Sequence, residues 1–146
     1  MGDQPAGGRP GPTEPADAGR SGELVCKISP RSVAATVERL TSIAADKGLK
    51  VFAVIDHSGA AQEAGLALRD TKVVLFGSPQ AGTPVMEAFP LVALDLPLKV
   101  LVFSDGSETQ VVYTAPQALA ARHGLSDELA ARLAGIEGVT DLLVEI

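Results

Sequence analysis

Three short strings in this chain hold side chains able to move a proton, pair with an anion or cradle a phosphate. The first is Asp56-His57-Ser58. An imidazole titrates near neutrality and can serve as general acid or base. Asp56 is the group that would orient it, although adjacent strand residues point to opposite faces and pair poorly. The plainer alternative is that Asp56 caps a following helix and His57 is a loop residue. The second string runs from Phe76 to Thr83. Gly77 and Gly82 have the Gly-x4-Gly spacing of a phosphate loop, but Thr83 stands where the lysine is needed and Pro84 removes an amide donor. That excludes a nucleotide-hydrolysing loop. Amides near Ser78 and at Thr83 could still hold a small anion, or the segment is a turn carrying two helix caps. The third string is Asp95-Leu96-Pro97-Leu98-Lys99. Lys99 could pair with Asp95, approach an anion at the glycine loop, or simply project from an edge strand. A fourth, Arg122-His123-Gly124, reads as a basic last helical turn before a glycine stop.

Other chemistries lack their residues. Two His and one Cys, with no HxH, CxxC or HExxH spacing, leave metal binding unsupported, and no cofactor is implied. Gly77-Ser78-Pro79 is not a nucleophile elbow, because proline follows the serine. Acids outnumber bases 18 to 12, and Lys and Arg are scattered singly, which argues against nucleic acid. The lone Cys26 cannot form an intramolecular disulfide and is expected to be a buried, inert thiol.

The elements that must position these residues follow from period and punctuation. Glu23 to Ile28 reads as a strand, with Leu24, Cys26 and Ile28 on one face. Ser29-Pro30 supplies an N-cap and a first-turn proline, Val33, Val37, Leu40 and Ala44 follow at helical spacing, and Gly48 ends the helix. Leu49 to Asp56 is nearly continuous in apolar residues, which predicts a central strand. Ser58 caps a short helix over Gly59 to Ala64, and Thr71 to Phe76 is a third strand. Ser78-Pro79 and Thr83-Pro84 read as two successive helix starts, the second limited by Pro90. Leu98 to Phe103 and Glu108 to Thr114 form a hairpin whose Asp105-Gly106 suits a two-residue turn. Pro116 to His123 is a helix, Ser126 caps another, and Gly135 and Gly138 interrupt the chain before Val139 to Ile146. The sum is a two-layer α+β domain with a five-stranded mixed or antiparallel sheet.

Residues 1–22 differ from the rest. They hold 6 Gly and 4 Pro and no Leu, Val, Ile or aromatic residue, so they read as a disordered tail ahead of a domain over 23–146. No basic start with an apolar run marks a signal peptide, and no apolar stretch is long enough to span a bilayer. A soluble, cytoplasmic protein without a membrane partner is the expectation.

Taken together, Val54-Ile55-Asp56-His57-Ser58, Phe76-Gly77 with Pro79, Gly82-Thr83-Pro84-Val85-Met86, Leu94 through Lys99, and Ala121-Arg122-His123-Gly124 resemble the DUF302 family over about Leu24 to Leu125. The resemblance implies a small TT1751-like α+β domain and a bacterial or archaeal homodimer. It transfers no catalytic residue. Where that family's glycine loop usually reads Gly-Asn-Pro, Ser78 replaces the Asn, with shorter reach toward a ligand but equal capping ability.

The functional expectation is a non-enzymatic binding or sensory module for a small anionic ligand, with Asp56, His57, Gly77, Ser78, Gly82, Thr83, Asp95 and Lys99 as candidate site residues. Two alternatives stay open. One is an enzyme with His57 as general acid/base and Lys99 stabilising negative charge. The other is an assembly module whose apolar 139–146 segment packs against a partner.

Overall fold

The computed structural model describes residues 22–146; the expected disordered tail falls almost wholly outside the described residues. Strands β1 (Leu24–Ser29), β2 (Lys50–Asp56), β3 (Thr71–Gly77), β4 (Leu98–Ser104) and β5 (Thr109–Thr114) form one sheet in the order β1-β5-β4-β3-β2. All four pairings are antiparallel, which decides between the mixed and antiparallel expectations. Helices α1 (Val33–Asp46), α2 (His57–Glu63), α3 (Pro79–Ala88), α4 (Pro116–His123), α5 (Asp127–Ala131) and α6 (Gly135–Leu143) complete the α+β domain, with a 3-10 turn at Pro90–Leu94.

Strand alternation sends Val74, Phe76, Val100, Val102, Val111 and Tyr113 to one face of the sheet, where α1 and α6 cover them through Val37, Leu40, Ile136, Val139 and Leu143. A smaller core of Val85, Val92, Leu119 and Leu133 ties α3 to α4 and the α5–α6 junction; Leu98 belongs to both cores. The opposite sheet face is apolar too. One register row crosses all five strands as Ile55, Val73, Leu101, Val112 and Cys26.

Several local expectations change. β2 lies at the edge of the sheet and not in its centre; its apolar run serves the core at Val51, while Phe52, Val54 and Ile55 stay exposed. Cys26 is exposed, because the core-facing residues of β1 are Val25, Lys27 and Ser29. The N-cap of α1 is Ser32, whose Oγ accepts from the Ala35 amide; Ser29 ends β1 and bonds Thr36 at 2.7 Å. Asp56, not Ser58, caps α2, so His57 is a first-turn helical residue. An added Cβ at Gly59 would collide with the capping carboxylate, which explains a glycine there. Thr83-Pro84 starts no second helix. α3 runs unbroken past Pro84, whose cost is offset by burial of Val85 beneath the smaller core. The hairpin connection is four residues long, with the Asp105 carboxylate accepting from the Ser107 and Glu108 amides. These bonds, that from Glu108 strongest, hold the Asp105 carboxyl well below the usual carboxylate range. Gly135 and Gly138 do not interrupt α6. Its buried face of Ile136, Val139, Thr140 and Leu143 outweighs the roughly 1 kcal/mol that each interior glycine costs.

Candidate functional site

The glycine loop borders a cavity. Gly77 ends β3, and the Oγ of Ser78 accepts from the Ala81 amide at 3.2 Å, so Ser78 is the N-cap of α3 with Pro79 in its first turn. From that point a cleft of about 520 Å³ opens along Gly82, Thr83 and Met86. Its floor is the buried ring of Phe76 with Ile136 and Leu133, its far wall Leu96 and Pro97. The pairing of β2 with β3 shifts register between Val51 and Ala53, so Phe52 falls outside the ladder. Such a bulge re-aims a side chain, and the ring of Phe52, 47% exposed, closes one side of the cleft. Lys50 stands over that ring at 5.4 Å from its centroid.

Both glycines matter for volume rather than for backbone conformation. A Cβ on Gly77 would touch Pro97 at 3.8 Å, and one on Gly82 would touch Leu96 and Met86 at 3.8 Å each. These are ordinary contacts, so larger side chains would extend into the cleft without a clash at Cβ. The lining contains one charged side chain, Arg132, and no carboxylate. Arg132 is exposed; its backbone amide caps α5, and its guanidinium makes no ion pair or hydrogen bond with a described residue. Its importance was not legible locally: it follows α5 and stands 50 residues from Gly82, with no motif around it.

Of the eight residues singled out from sequence, the structure brings four to this cleft: Gly77, Ser78, Gly82 and Thr83. Asp56 lies elsewhere. Its carboxylate accepts from the Gly59 amide at 2.9 Å and from Ser58 Oγ at 2.9 Å, and faces Lys72 Nζ at 3.4 Å. The Gly59 amide first, then Ser58 and Lys72, hold this carboxyl below its ordinary range. Asp56 therefore has a capping role and does not orient His57, which is exposed beside it.

Asp95 is not paired with Lys99. Both border a hollow of about 50 Å³, but the partners of Asp95 are His123 Nε2 at 2.6 Å and Arg122 Nη1 at 3.1 Å. Burial pushes the Asp95 carboxyl up; the bonds from His123 and Arg122 outweigh it and hold the group below its usual range. The basic end of α4, read from sequence as capping alone, thus clamps the segment that forms the far wall of the cleft. Lys99 is exposed on the open sheet face opposite Leu75 and does not line the cleft. Register places Asp56 level with Lys72 and Val102. Lys99 is three residues and two strands away, roughly 14 Å at the backbone from the β2 end that carries His57. None of the three cavities bordered by Phe76, Asp95 and Asp56 is lined by both. No three His, Cys, Asp or Glu side chains among the described residues gather to hold a metal.

Fold and cleft define a small α+β domain with helices on one face of an antiparallel sheet and an apolar pocket at the end of β3. The family described as "Domain of unknown function DUF302" matches residues 25–142, and the chain belongs to that family. A crystal structure described as an uncharacterized conserved DUF302 protein from Bacillus stearothermophilus shares the fold. Its TM-score is 0.71 at 21% identity, covering 83% of this chain and 94% of that one. Curated relatives include proteins named fluoride-specific ion channel FluC 1 from Brucella suis and Brucella abortus, each 42% identical over 110 residues. The match covers 73% of this chain but only 43% and 41% of those relatives, so the chain spans about two fifths of their length. No helix among the described residues is long and apolar enough to cross a membrane.

Proposed function

We propose that this chain is a small-ligand binding or sensory module whose ligand occupies the cleft beside the glycine loop. The observation that carries this reading is the cleft itself. Its volume of about 520 Å³ falls within the 300–1,000 Å³ usual for small-molecule sites, and its walls are apolar apart from a few polar groups at the mouth. The name of the Brucella relatives supports a module role: on this reading the shared stretch is a domain joined to a channel in those proteins, and ion conduction is not carried over.

The test uses N-phenyl-1-naphthylamine, a neutral apolar probe that fluoresces when removed from water. It is expected to bind the unmodified chain, and Gly82→Leu is expected to weaken binding at least tenfold, about 1.4 kcal/mol. Thermal unfolding of that variant should stay unchanged or rise, since leucine is the better helix former by up to about 1 kcal/mol. Probe binding that ignores the substitution would place the ligand elsewhere.

Homodimerisation through the open sheet face is the second reading, favoured by the Ile55–Val73–Leu101–Val112–Cys26 row. Five strands make this face about 24 Å wide, enough for face-to-face sheet packing. Sedimentation should show a dimer for the unmodified chain and a monomer for Leu101→Glu, with circular dichroism unchanged. A monomeric unmodified chain at tens of micromolar removes this reading. The enzymatic alternative has no such support, because His57 and Lys99 stand two strands apart and together line none of the cavities described, and of the 139–146 segment Val139, Leu143 and Val144 are engaged within the chain's own core while Ile146 is exposed.

A further inference from the structure

We infer that the ligand class is an amphipathic monoanion, an aliphatic or aromatic body carrying one carboxylate or comparable group, with Arg132 as its anchor. This rests on the cleft being the ligand site. The argument is one of sign and arrangement. A purely apolar ligand needs no charge, yet at the α5–α6 junction the lining presents an arginine whose side chain has no partner among the described residues. Lys50, held over the ring of Phe52, adds a second positive charge beside the same wall. No carboxylate lines the cleft to neutralise either cation or to attract a cationic ligand. A free inorganic anion fits poorly, because the floor of Phe76, Leu133 and Ile136 offers it no donor and would strip its water. The two halves are satisfied together by a molecule whose apolar body lies on that floor and whose anionic end reaches the guanidinium, a planar donor that matches a carboxylate in bidentate fashion.

Ser78 and Thr83 stand at the same loop, but the Oγ of Ser78 already accepts from the Ala81 amide. Arg132 is therefore the residue that selects charge, while the glycines and Phe52 admit the body. The small anion anticipated from sequence becomes the head group of a larger molecule.

The experiment measures displacement of N-phenyl-1-naphthylamine from the full chain by octanoate and by octan-1-ol, which share a chain length and differ in charge. Octanoate is expected to compete about fivefold better, as one partly exposed ion pair allows. Arg132→Gln should abolish that preference while leaving competition by octan-1-ol unchanged, Arg132→Lys should restore most of it, and added salt should reduce it. Because Arg132 is exposed, unfolding midpoints should not move. Equal competition by the two compounds in the unmodified chain overturns the inference and leaves the cleft as a site for neutral ligands; an octanoate preference that survives Arg132→Gln overturns it by removing Arg132 as the anchor. Absence of probe binding overturns the cleft reading and this inference with it.

Discussion

A chain ending at Gly138 is expected to lose its cooperative unfolding transition. The removed segment holds Val139 and Leu143, both fully enclosed against α1 and the sheet. Their burial stabilises by about 1.5–3 kcal/mol each, together a large share of the roughly 5–15 kcal/mol that holds a domain folded. Polar contacts go with them. Lys27 Nζ donates to Thr140 Oγ1 at 2.7 Å and to Asp141 at 2.8 Å. Arg31 donates to the carbonyls of Leu143 and Glu145, and Arg39 to that of Leu142. These cations meet the negative end of α6, where the helix dipole favours them. Burial pulls the Lys27 ammonium down, but the bond to Asp141 and the contact with Tyr113 outweigh it, so the folded state keeps this amine charged past its ordinary range. Truncation would leave it half-buried without its carboxylate. Urea denaturation followed by circular dichroism checks the claim, with Leu143→Ala as the graded case: a loss of about 2–5 kcal/mol with the transition retained. A truncated chain with an unchanged midpoint would show that α6 is dispensable.

The second large effect is expected at Asp95. Asp95→Asn should cost about 2 kcal/mol, in the range of hydrogen bonds to charged groups. The carboxylate is 23% exposed and its His123 partner 12%, so screening is only partial. The folded-state pKa lies below the ordinary 3.8, so this contribution is complete above that pH and fades as pH falls through the lower folded value. A pH series of urea midpoints should therefore show the gap between the unmodified chain and Asp95→Asn closing below about pH 4. A gap that stays open in acid would mean that the ion cluster is not its source. Because Asp95 precedes Leu96 and Pro97, the substitution should also loosen the far wall of the cleft and weaken probe binding.

The sheet and its connections were readable because their causes are local. The apolar run in Thr71 to Phe76, the hairpin around Asp105-Gly106, the serine cap at Ser126 and the glycine after His123 each depend on a few neighbouring residues. Errors arose where a local signal met a tertiary one. Ser29-Pro30 has the chemistry of a helix start, but pairing with β5 keeps Ser29 in the strand and hands the cap to Ser32. Gly138 should weaken a helix, but the apolar stripe around it gains more from the sheet than the glycine loses. Half the candidate site was legible, since a glycine loop at a strand end marks a cavity wherever the sheet lies.

By itself the sequence determined the number, order and type of the strands, the α+β class and the placement of Gly77, Ser78, Gly82 and Thr83 at the end of β3. Those features follow from backbone preference and hydrophobic period, which act over a few residues. Only the tertiary structure decided that β2 is an edge strand, that its bulge turns Phe52 into the cleft, and that Asp95 belongs with Arg122 and His123 rather than with Lys99. The same holds for Arg132, brought to the glycine loop by the packing of Leu133 and Ile136. Lateral strand order and contacts between distant segments are set by which apolar surfaces fit together, and no local pattern encodes that fit.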